Sequence, residues 1–188
     1  MAGLNEAESA GRKARGLPPV HLWNPDFCGD LDMRIARDGT WFYLGTPIGR
    51  ERLVRLFSTI LRHDEDGRYY LVTPVEKVGI KVDDAPFVAV AMKVEGEGRE
   101  QALTFTTNVG DDAVAGPDHP MRFVVDPGTG EPAPYVHVRA RLEALINRAV
   151  FYDLVALGVE EPHRGEPWFG VWSGGVFFPF MPAREVNF

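Results

Sequence analysis

The chain has 188 residues, of which 45% are hydrophobic and 25% are charged. This composition is typical of a folded globular protein with one ordinary core or two small ones. Its formal net charge is -7, whereas binding to duplex nucleic acid depends on a basic surface. We therefore expect no nucleic-acid partner.

Cysteine content and apolar runs bear on location. Cys28 is the only cysteine, which excludes an intramolecular disulfide and a thiolate-rich metal cage and is typical of the reducing cytoplasm. No apolar run reaches the roughly 18 residues that a membrane-spanning helix needs, so we expect no membrane insertion. Residues 1–16 lack the apolar stretch of a secretory signal. We expect residues 1–21 to form a flexible tail.

Turn signals and apolar spacing predict the first elements. Residues 33–36 and 40–44 flank Asp38-Gly39, a pair typical of a tight hairpin turn. Thr46-Pro47 offers a capping residue followed by a proline suited to the first helical position. Apolar residues then recur at helical spacing and predict a helix that ends near Leu61. Residues rich in β-branched and aromatic types predict strands over 69–73 and 78–82.

The second half of the chain shows the same strand, turn and helix signals as the first. Strands are predicted over 87–94, 103–107, 121–125 and 135–138, with Gly and Pro breakers between them. Apolar residues on one side predict a helix over 139–157, stopped by Gly158. Residues 168–172 and 176–180 flank Gly174-Gly175 and predict a last hairpin whose aromatic content is too large to leave in water.

These elements predict an α+β fold with mostly antiparallel strands and two long amphipathic helices. Trp41-Phe42 in the first hairpin is echoed by Trp168-Phe169 in the last one, which suggests a divergent duplication. The predicted halves span residues 22–82 and 83–188.

The sequence contains no complete catalytic or metal-binding motif. The five histidines do not stand at chelating spacings, and no phosphate-binding glycine loop is present. Ser173 lacks the glycine two residues earlier that a nucleophile elbow requires, and Cys28 has no close basic neighbour to activate its thiolate. We therefore predict no catalytic residue, no metal and no cofactor, and we favour a protein that is not an enzyme.

Polar side chains in the strand over 135–138 and its flanks are the best candidates for binding. Tyr135, His137 and Arg139 would share one face of the strand, and the intervening valines would pack on the core. Arg139 and Arg141 would begin the second helix, where cations oppose the helix dipole, so an anionic ligand would explain them. The alternative is that these arginines pair with surface carboxylates. The predicted ligand-binding set is Arg50, Asn108, His119, Arg122, Tyr135, His137 and Arg139.

Several motifs carry a resemblance to a bacterial family. They are residues 41–43 (WFY), 47–50 (PIGR), 70–77 (YLVTPVEK), 84–87 (DAPF), 107–111 (TNVGD), His119-Pro120 with Arg122, and 135–139 (YVHVR) with 142–144 (LEA). Together they resemble the family named domain of unknown function twelve eighty-five. The resemblance implies a duplicated core, a C-terminal half like a pleckstrin-homology domain, and a pocket between the halves for a nucleotide-like ligand in signalling.

The first hypothesis for function is therefore a non-catalytic regulatory or signal-transduction protein that takes a small anionic, nucleotide-based ligand between its halves. A second hypothesis is a protein-interaction module, or a dimer seam, built from the aromatic hairpin residues Trp168, Phe169, Trp172, Phe177 and Phe178. A third is an enzyme with His119 or His137 as general base.

Overall fold

The N-terminal half is a six-stranded sheet with one helix. The computed structural model describes residues 16–186, so most of the predicted tail, residues 1–15, lies outside the described residues. The elements of this half are β1 (Phe27–Ile35), β2 (Trp41–Tyr43), β3 (Thr46–Pro47), α1 (Glu51–Thr59), β4 (Leu61–His63), β5 (Tyr69–Val72) and β6 (Lys77–Val82). The strand order across this first sheet is β3-β2-β1-β6-β5-β4.

The C-terminal half contains a second six-stranded sheet and a smaller third one. Its elements are β7 (Phe87–Glu95), β8 (Ala102–Thr107), β9 (Asp112–Val114), β10 (Met121–Val125), β11 (Pro132–Arg139), β12 (Leu142–Ile146), α2 (Arg148–Ala156), β13 (Val159–His163), β14 (Glu166–Ser173) and β15 (Val176–Pro182). The second sheet has the order β10-β11-β12-β7-β8-β9, and the third has the order β13-β14-β15.

The two six-stranded sheets share one topology. Each consists of two antiparallel meanders of three strands, and the first strand of one meander pairs in parallel with the last strand of the other, as β1 with β6 and β7 with β12. The α+β class, the dominance of antiparallel pairing and the duplication are therefore confirmed. The tryptophan echo does not mark the repeat, because Trp41 lies in β2 of the first sheet while Trp168 lies in β14, outside the second.

Most predicted strands are confirmed within a few residues. The hairpin at Asp38-Gly39 joins β1 to β2, with Ile35 opposite Trp41. The last hairpin joins β14 to β15 through Gly174 and Gly175, both with positive φ. Whether the C-terminal half is pleckstrin-homology-like in detail stays a prediction.

The first helix is shorter than predicted at both ends. Thr46 and Pro47 do not begin it but form β3, opposite Tyr43 and Phe42 of β2. Arg50 occupies the N-cap position without a side-chain capping bond. The helix ends at Thr59. The Thr-Pro pair is a local signal for a helix start, but pairing with β2 holds these two residues in a strand. The sequence pattern could not show that pairing, so the predicted helix began too early.

The predicted helix over 139–157 is wrong in its first half. Residues 142–146 form β12, which pairs with β11 on one side and with β7 on the other. Leu142, Ala144 and Ile146 are buried at alternate positions, which is the period of a strand. The helix begins only after Asn147, whose side chain accepts a hydrogen bond from the Val150 backbone amide at 2.9 Å. Both helices contain nine residues, so neither is long.

One hydrophobic core extends through both halves. It includes Trp41 and Leu71 from the first sheet, Phe87 and Val136 from the second, and Val171 from the third. Burial of apolar surface in this shared core is the main force that joins the sheets.

The third sheet is also joined to the second by a buried hydroxyl. The Ser173 side chain is 0% exposed, donates to the Ala115 carbonyl at 2.7 Å and accepts from the Leu103 amide at 2.9 Å. Both hydrogen-bonding functions of the Ser173 hydroxyl are satisfied within the fold. This structural role explains the serine without any nucleophilic role.

Arg62 connects the start of the described chain to the first sheet. Its guanidinium donates to the Val20 and Trp23 carbonyls at 2.8 and 2.7 Å and to Asp64 at 2.6 Å. Lys77 lies 2.9 Å from the same carboxylate. Burial favours the neutral form of Asp64, but the hydrogen bonds from Arg62 and Lys77 outweigh it and lower the Asp64 pKa.

Candidate functional site

The polar face of β11 lies at the junction between the two halves. Val136 and Val138 are buried in the core, which confirms that one face of this strand packs inward. The opposite face carries Tyr135 and His137, as predicted from alternation. Arg139 does not continue this face, because a register shift after His137 places it opposite the buried Leu142 and next to the Phe87 ring. Tyr135 on this face and Arg139 at the end of the strand both form hydrogen bonds at the junction, to Asp84 and to the Ser58 carbonyl.

Arg139 links three segments. Its guanidinium pairs with Asp111, donates to the Ser58 carbonyl in the last turn of α1 at 2.8 Å, and lies 5.0 Å from the centre of the Phe87 ring. The Arg139 side chain is 21% exposed. The prediction that Arg139 and Arg141 begin a helix is wrong, because Arg139 is the last residue of β11 and Arg141 lies in the turn before β12. The helix-dipole argument for an anionic ligand at these two arginines therefore no longer applies.

Arg122 and Tyr135 begin a chain of polar contacts that reaches the N-terminal half. Arg122 forms two hydrogen bonds with Glu143, both at 2.8 Å, and stacks over the Tyr135 ring at 4.2 Å. The Tyr135 hydroxyl donates to Asp84 at 2.7 Å. Burial and this hydrogen bond raise the pKa of Tyr135 to about 12. Asp84 in turn faces Arg37 of the β1–β2 turn, with 3.4 Å between Arg37 Nε and Asp84 Oδ2.

The two predicted histidines are neighbours. The rings of His119 and His137 are stacked with centroids 5.4 Å apart, and His119 Nδ1 lies 3.2 Å from the His137 carbonyl. His137 Nε2 is 2.6 Å from the Ala140 carbonyl, so this nitrogen carries the proton. His137 Nδ1 is buried and has no hydrogen-bond partner among the described residues. A general base must reach its substrate, and the buried Nδ1 is not placed to do so.

Asn108 holds the first hairpin turn against the second sheet. Its side-chain oxygen accepts from the Val88 amide at 3.0 Å, and its Nδ2 donates to the Gly39 carbonyl at 3.4 Å. Gly39 is buried and has a φ of +88°. A Cβ at this position would lie 2.6 Å from Asn108 Nδ2. Glycine is therefore required both for the turn and for this close approach.

Arg50 lies apart from the other six candidates. It is exposed at the start of α1 and forms no ion pair with a carboxylate of residues 16–186. The structure thus gathers Asn108, His119, Arg122, Tyr135, His137 and Arg139 in and around the second sheet. Their internal bonds are defined, and their role in ligand binding stays a prediction.

A cleft between the halves lies beside this network. We call it the inter-half cleft; it has a volume of about 420 Å³. Arg37 contributes from the N-terminal half, and the opposite wall includes Pro134, Asn147, Arg148, Phe151 and Tyr152.

The charged groups of the inter-half cleft are only loosely paired. Arg37 lies 3.9 Å from Asp126 in addition to its 3.4 Å contact with Asp84, and Arg148 lies 3.8 Å from Glu131. These distances exceed those of strong charge-assisted hydrogen bonds. The Arg37 and Arg148 side chains are 56% and 76% exposed. Both guanidiniums are therefore available to an anion.

The other sequence candidates have structural explanations. Of the hairpin aromatics, Phe178 is buried, and Trp168, Phe169, Trp172 and Phe177 are half-buried. Trp172 contacts Phe177, with ring centroids 5.5 Å apart. This arrangement does not provide the exposed patch that the interaction-module hypothesis needs. Cys28 is exposed, and its thiol lies 3.3 Å from the Asp26 carbonyl.

Family comparisons cover both halves. A family model described as the DUF1285 N-terminal domain of unknown function matches residues 18–85. A second model, described as the C-terminal domain of the DUF1285 protein of unknown function, matches residues 86–180. The chain belongs to the DUF1285 family. The resemblance found in the sequence motifs is thereby confirmed.

Two solved DUF1285 structures are similar to this chain. A DUF1285 family protein from Silicibacter pomeroyi DSS-3 shares 65% identity and a TM-score of 0.85, over 94% of this chain and 95% of that one. A DUF1285 family protein from Shewanella baltica OS155 shares 28% identity and a TM-score of 0.51, over 67% of this chain and 91% of that one. No curated protein matches this chain.

Membrane and metal features of this DUF1285 chain can be stated for the described part. None of the helices within residues 16–186 is long and apolar enough to cross a membrane. Within the same range, no three His, Cys, Asp or Glu side chains converge in an arrangement that could hold a metal ion.

Sequence reasoning missed the two arginines of the inter-half cleft. In this DUF1285 chain Arg37 precedes the Asp38-Gly39 turn and looks like an ordinary solvated turn residue. Arg148 was concealed because the predicted helix began nine residues too early, at Arg139. The one local signal was Asn147, a good N-cap residue immediately before Arg148.

Proposed function

We propose that this DUF1285 chain is a non-catalytic regulatory protein of signal transduction that binds a small anionic, nucleotide-like ligand in the inter-half cleft. The observation that carries the proposal is that Arg37 and Arg148, one from each half, line the same cavity of about 420 Å³. Pockets of this size accommodate small-molecule ligands. A cytoplasmic location, expected from the single cysteine, is part of the proposal.

The chemistry of the cleft suits a phosphate joined to an aromatic group. Arg37 can exchange its distant contact with Asp126, and Arg148 its contact with Glu131, for a phosphate, to which arginine binds well. Phe151 is half-buried and Tyr152 is 62% exposed on α2, so their rings offer a stacking surface for a base. A ligand held by both arginines would connect the two halves, which is what a regulatory module requires.

The predicted residues of β11 support this site indirectly. Tyr135 binds Asp84, and Asp84 faces Arg37. In this proposal Arg122 and Tyr135 position the Arg37 side chain through Asp84. They do not need to touch the ligand themselves.

The test is a thermal-shift screen of the full chain against nucleotides, cyclic and dinucleotide messengers, and inorganic phosphate. A ligand present at about 100 times its dissociation constant should stabilise the fold by about 2.7 kcal/mol. We expect the response to be lost in Arg37→Gln and in Arg148→Gln, and to be retained in Arg184→Gln, whose exposed ion pair with Glu166 lies elsewhere.

Two outcomes would contradict the proposal. A ligand response that survives both cleft variants but is lost in Arg122→Gln would place the site on the β11 face instead. The absence of any response across the whole screen would favour a protein partner, to be sought with the same variants.

A further inference from the structure

The turn between β10 and β11, residues 126–131, carries a carboxylate at each end. Asp126 follows the last residue of β10, and Glu131 precedes the first residue of β11. The Asp126 amide donates to the Glu131 carbonyl at 2.8 Å, and the Gly130 amide donates to the Asp126 carbonyl at 2.8 Å. These bonds hold the two residues side by side at the base of the turn. We call their two carboxylates the acidic pair.

Each carboxylate of the acidic pair faces one arginine of the inter-half cleft. Asp126 Oδ2 lies 3.9 Å from Arg37 Nη1. Glu131 Oε1 lies 3.8 Å from Arg148 Nη2. One turn therefore supplies an anionic partner to an arginine from each half. Both distances are longer than a hydrogen bond, so each contact is weak and can be replaced by another anion.

The two carboxylates are held in different ways. Asp126 Oδ1 accepts hydrogen bonds from the Gly128 and Thr129 amides at 2.7 and 3.1 Å. These bonds lower the pKa of Asp126, so it is ionised at neutral pH. The Glu131 side chain is 69% exposed and lines the cleft. We therefore expect an incoming anion to turn Glu131 outward, whereas Asp126 stays in the turn and Arg37 moves away from it.

Arg37 can make this change without losing its anchor. Its Nε lies 3.4 Å from Asp84 Oδ2, while its Nη1 faces Asp126. The other Asp84 oxygen accepts a hydrogen bond from the Tyr135 hydroxyl at 2.7 Å. Only the Nη1 end of the guanidinium has to exchange its partner.

We propose that the acidic pair is an internal competitor for the inter-half cleft, which occupies Arg37 and Arg148 until a phosphate displaces it. This inference rests on the proposed function and adds the regulation of the same site. A phosphate ester carries about 1.5–2 negative charges and three acceptor oxygens at neutral pH, whereas a carboxylate carries one charge and two oxygens. A phosphate can therefore displace the pair, and the pair sets the concentration at which the cleft fills.

The test is a titration of the full chain with phenyl phosphate, which joins a phosphate to one aromatic ring. Nuclear magnetic resonance measures the dissociation constant, and the Nε–Hε signals of Arg37 and Arg148 report binding at the site itself. The double variant with Asp126→Asn and Glu131→Gln removes the charges of the acidic pair and keeps its shape. The new asparagine oxygen can still accept from the amides of the turn.

Removal of the acidic pair should strengthen binding. We expect the double variant to bind phenyl phosphate at least about fivefold more tightly than the parent, which is the effect of removing two weak competing ion pairs. The addition of Arg148→Gln to this variant should abolish the gain. Thermal unfolding should show every variant folded, because exposed ion pairs contribute little to stability.

The matched control removes the same kinds of charge elsewhere. It combines Glu65→Gln with Asp153→Asn, so that it also loses one glutamate and one aspartate. Glu65 is 92% exposed and lies 3.5 Å from Arg141, and Asp153 is exposed on α2. This control should bind phenyl phosphate within about a factor of two of the parent, because exposed charges in solution are screened.

Three results would overturn the inference, and they separate it from the proposed function. Equal affinity of the parent and the acidic-pair variant, with the arginine signals responding in both, would exclude the competitor and leave the ligand site standing. An equal gain in the matched control would assign the effect to net charge. The absence of phenyl phosphate binding to both proteins would also overturn the inference, while the nucleotide screen judges the proposed function on its own.

Discussion

Replacement of Arg139 by methionine tests whether this arginine, at the end of β11, holds the two halves together. Methionine replaces the unbranched stem of arginine as far as Nε and removes the charged end of the guanidinium. The variant loses the ion pair with Asp111, the hydrogen bond to the Ser58 carbonyl at 2.8 Å and the contact with the Phe87 ring at 5.0 Å. These contacts join β11 to α1 and to the segment between β8 and β9.

The expected loss of stability follows from these contacts. A hydrogen bond to a charged group contributes roughly 1.5–3 kcal/mol, and a cation–π contact contributes about 0.5–1 kcal/mol. The ion pair adds less than about 1 kcal/mol, since the Arg139 and Asp111 side chains are 21% and 30% exposed. We therefore expect a decrease of about 3 kcal/mol in the free energy of unfolding. For a chain of this size, that lowers the melting temperature by roughly 6–12 °C.

Chemical denaturation of four proteins measures this effect and its origin. They are the parent, Arg139→Met, Asp111→Asn and the double variant, and the cycle should show a coupling energy of about 1 kcal/mol between the two side chains. Arg184→Gln is the control, because its ion pair with Glu166 is exposed and such pairs contribute little. A loss in Arg139→Met no larger than that in Arg184→Gln would refute the reasoning.

Three further substitutions test local features by the free energy of unfolding. Gly39→Ala should lower the free energy of unfolding by about 1–3 kcal/mol because of its positive φ, and by more because the new Cβ clashes with Asn108. Gly45 has a similar φ but open space around it, so Gly45→Ala measures the backbone cost alone. Ser173→Ala should cost about 2 kcal/mol, because it leaves a buried amide and carbonyl unpaired. The folded structure lowers the Asp64 pKa, so the Asp64 carboxylate stabilises the fold above about pH 4, and this stabilisation is lost as the pH falls through the lowered pKa. The free energy of unfolding of Asp64→Asn should therefore depend less on pH than that of the parent.

Each of these three measurements has a result that contradicts the structure. Equal losses in Gly39→Ala and Gly45→Ala would show that the contact with Asn108 is unimportant. A neutral Ser173→Ala would mean that the third sheet does not depend on the hydroxyl. An acid-unfolding profile of Asp64→Asn that is parallel to the parent profile at every pH would show that this carboxylate does not supply the expected pH dependence.

Local signals were sufficient for most strands and for the family. The Asp38-Gly39 turn, the Gly174-Gly175 turn and the β-branched runs predicted hairpins and strands that the structure confirms. These signals work because a two-residue turn restricts the backbone irrespective of what lies across the sheet. The family motifs likewise lie along the chain and need no tertiary contact to be seen.

Local signals failed where one apolar pattern suits two structures. In residues 142–146 the apolar positions fit a helical face as well as an alternating strand, and only the pairing with β7, more than fifty residues earlier in the chain, decides for the strand. The error moved the predicted helix start to Arg139 and produced a false electrostatic argument for an anion there. The same error concealed Arg148, which lies at the true start of α2.

The candidate site shows the same division. Alternation correctly identified Tyr135 and His137 as one polar face, because strand geometry is local. It could not show the register shift that places Arg139 opposite the buried Leu142. Only the tertiary structure showed that Tyr135 binds Asp84 and that Arg139 binds Asp111 and the end of α1. Pairing partners of this kind are set by which sheets share a core, and no spacing along the chain records that.

The sequence by itself determined the α+β class, the strand-rich halves, the tight turns and the family. The tertiary structure alone decided the parallel pairs that join the two meanders of each sheet and the arginines that line the inter-half cleft from both halves. The physical reason is that tight turns and strand alternation depend on residues that are neighbours in the chain. Clefts and ion pairs depend on side chains from distant segments, which come together only because burial of the shared core offsets the loss of chain entropy.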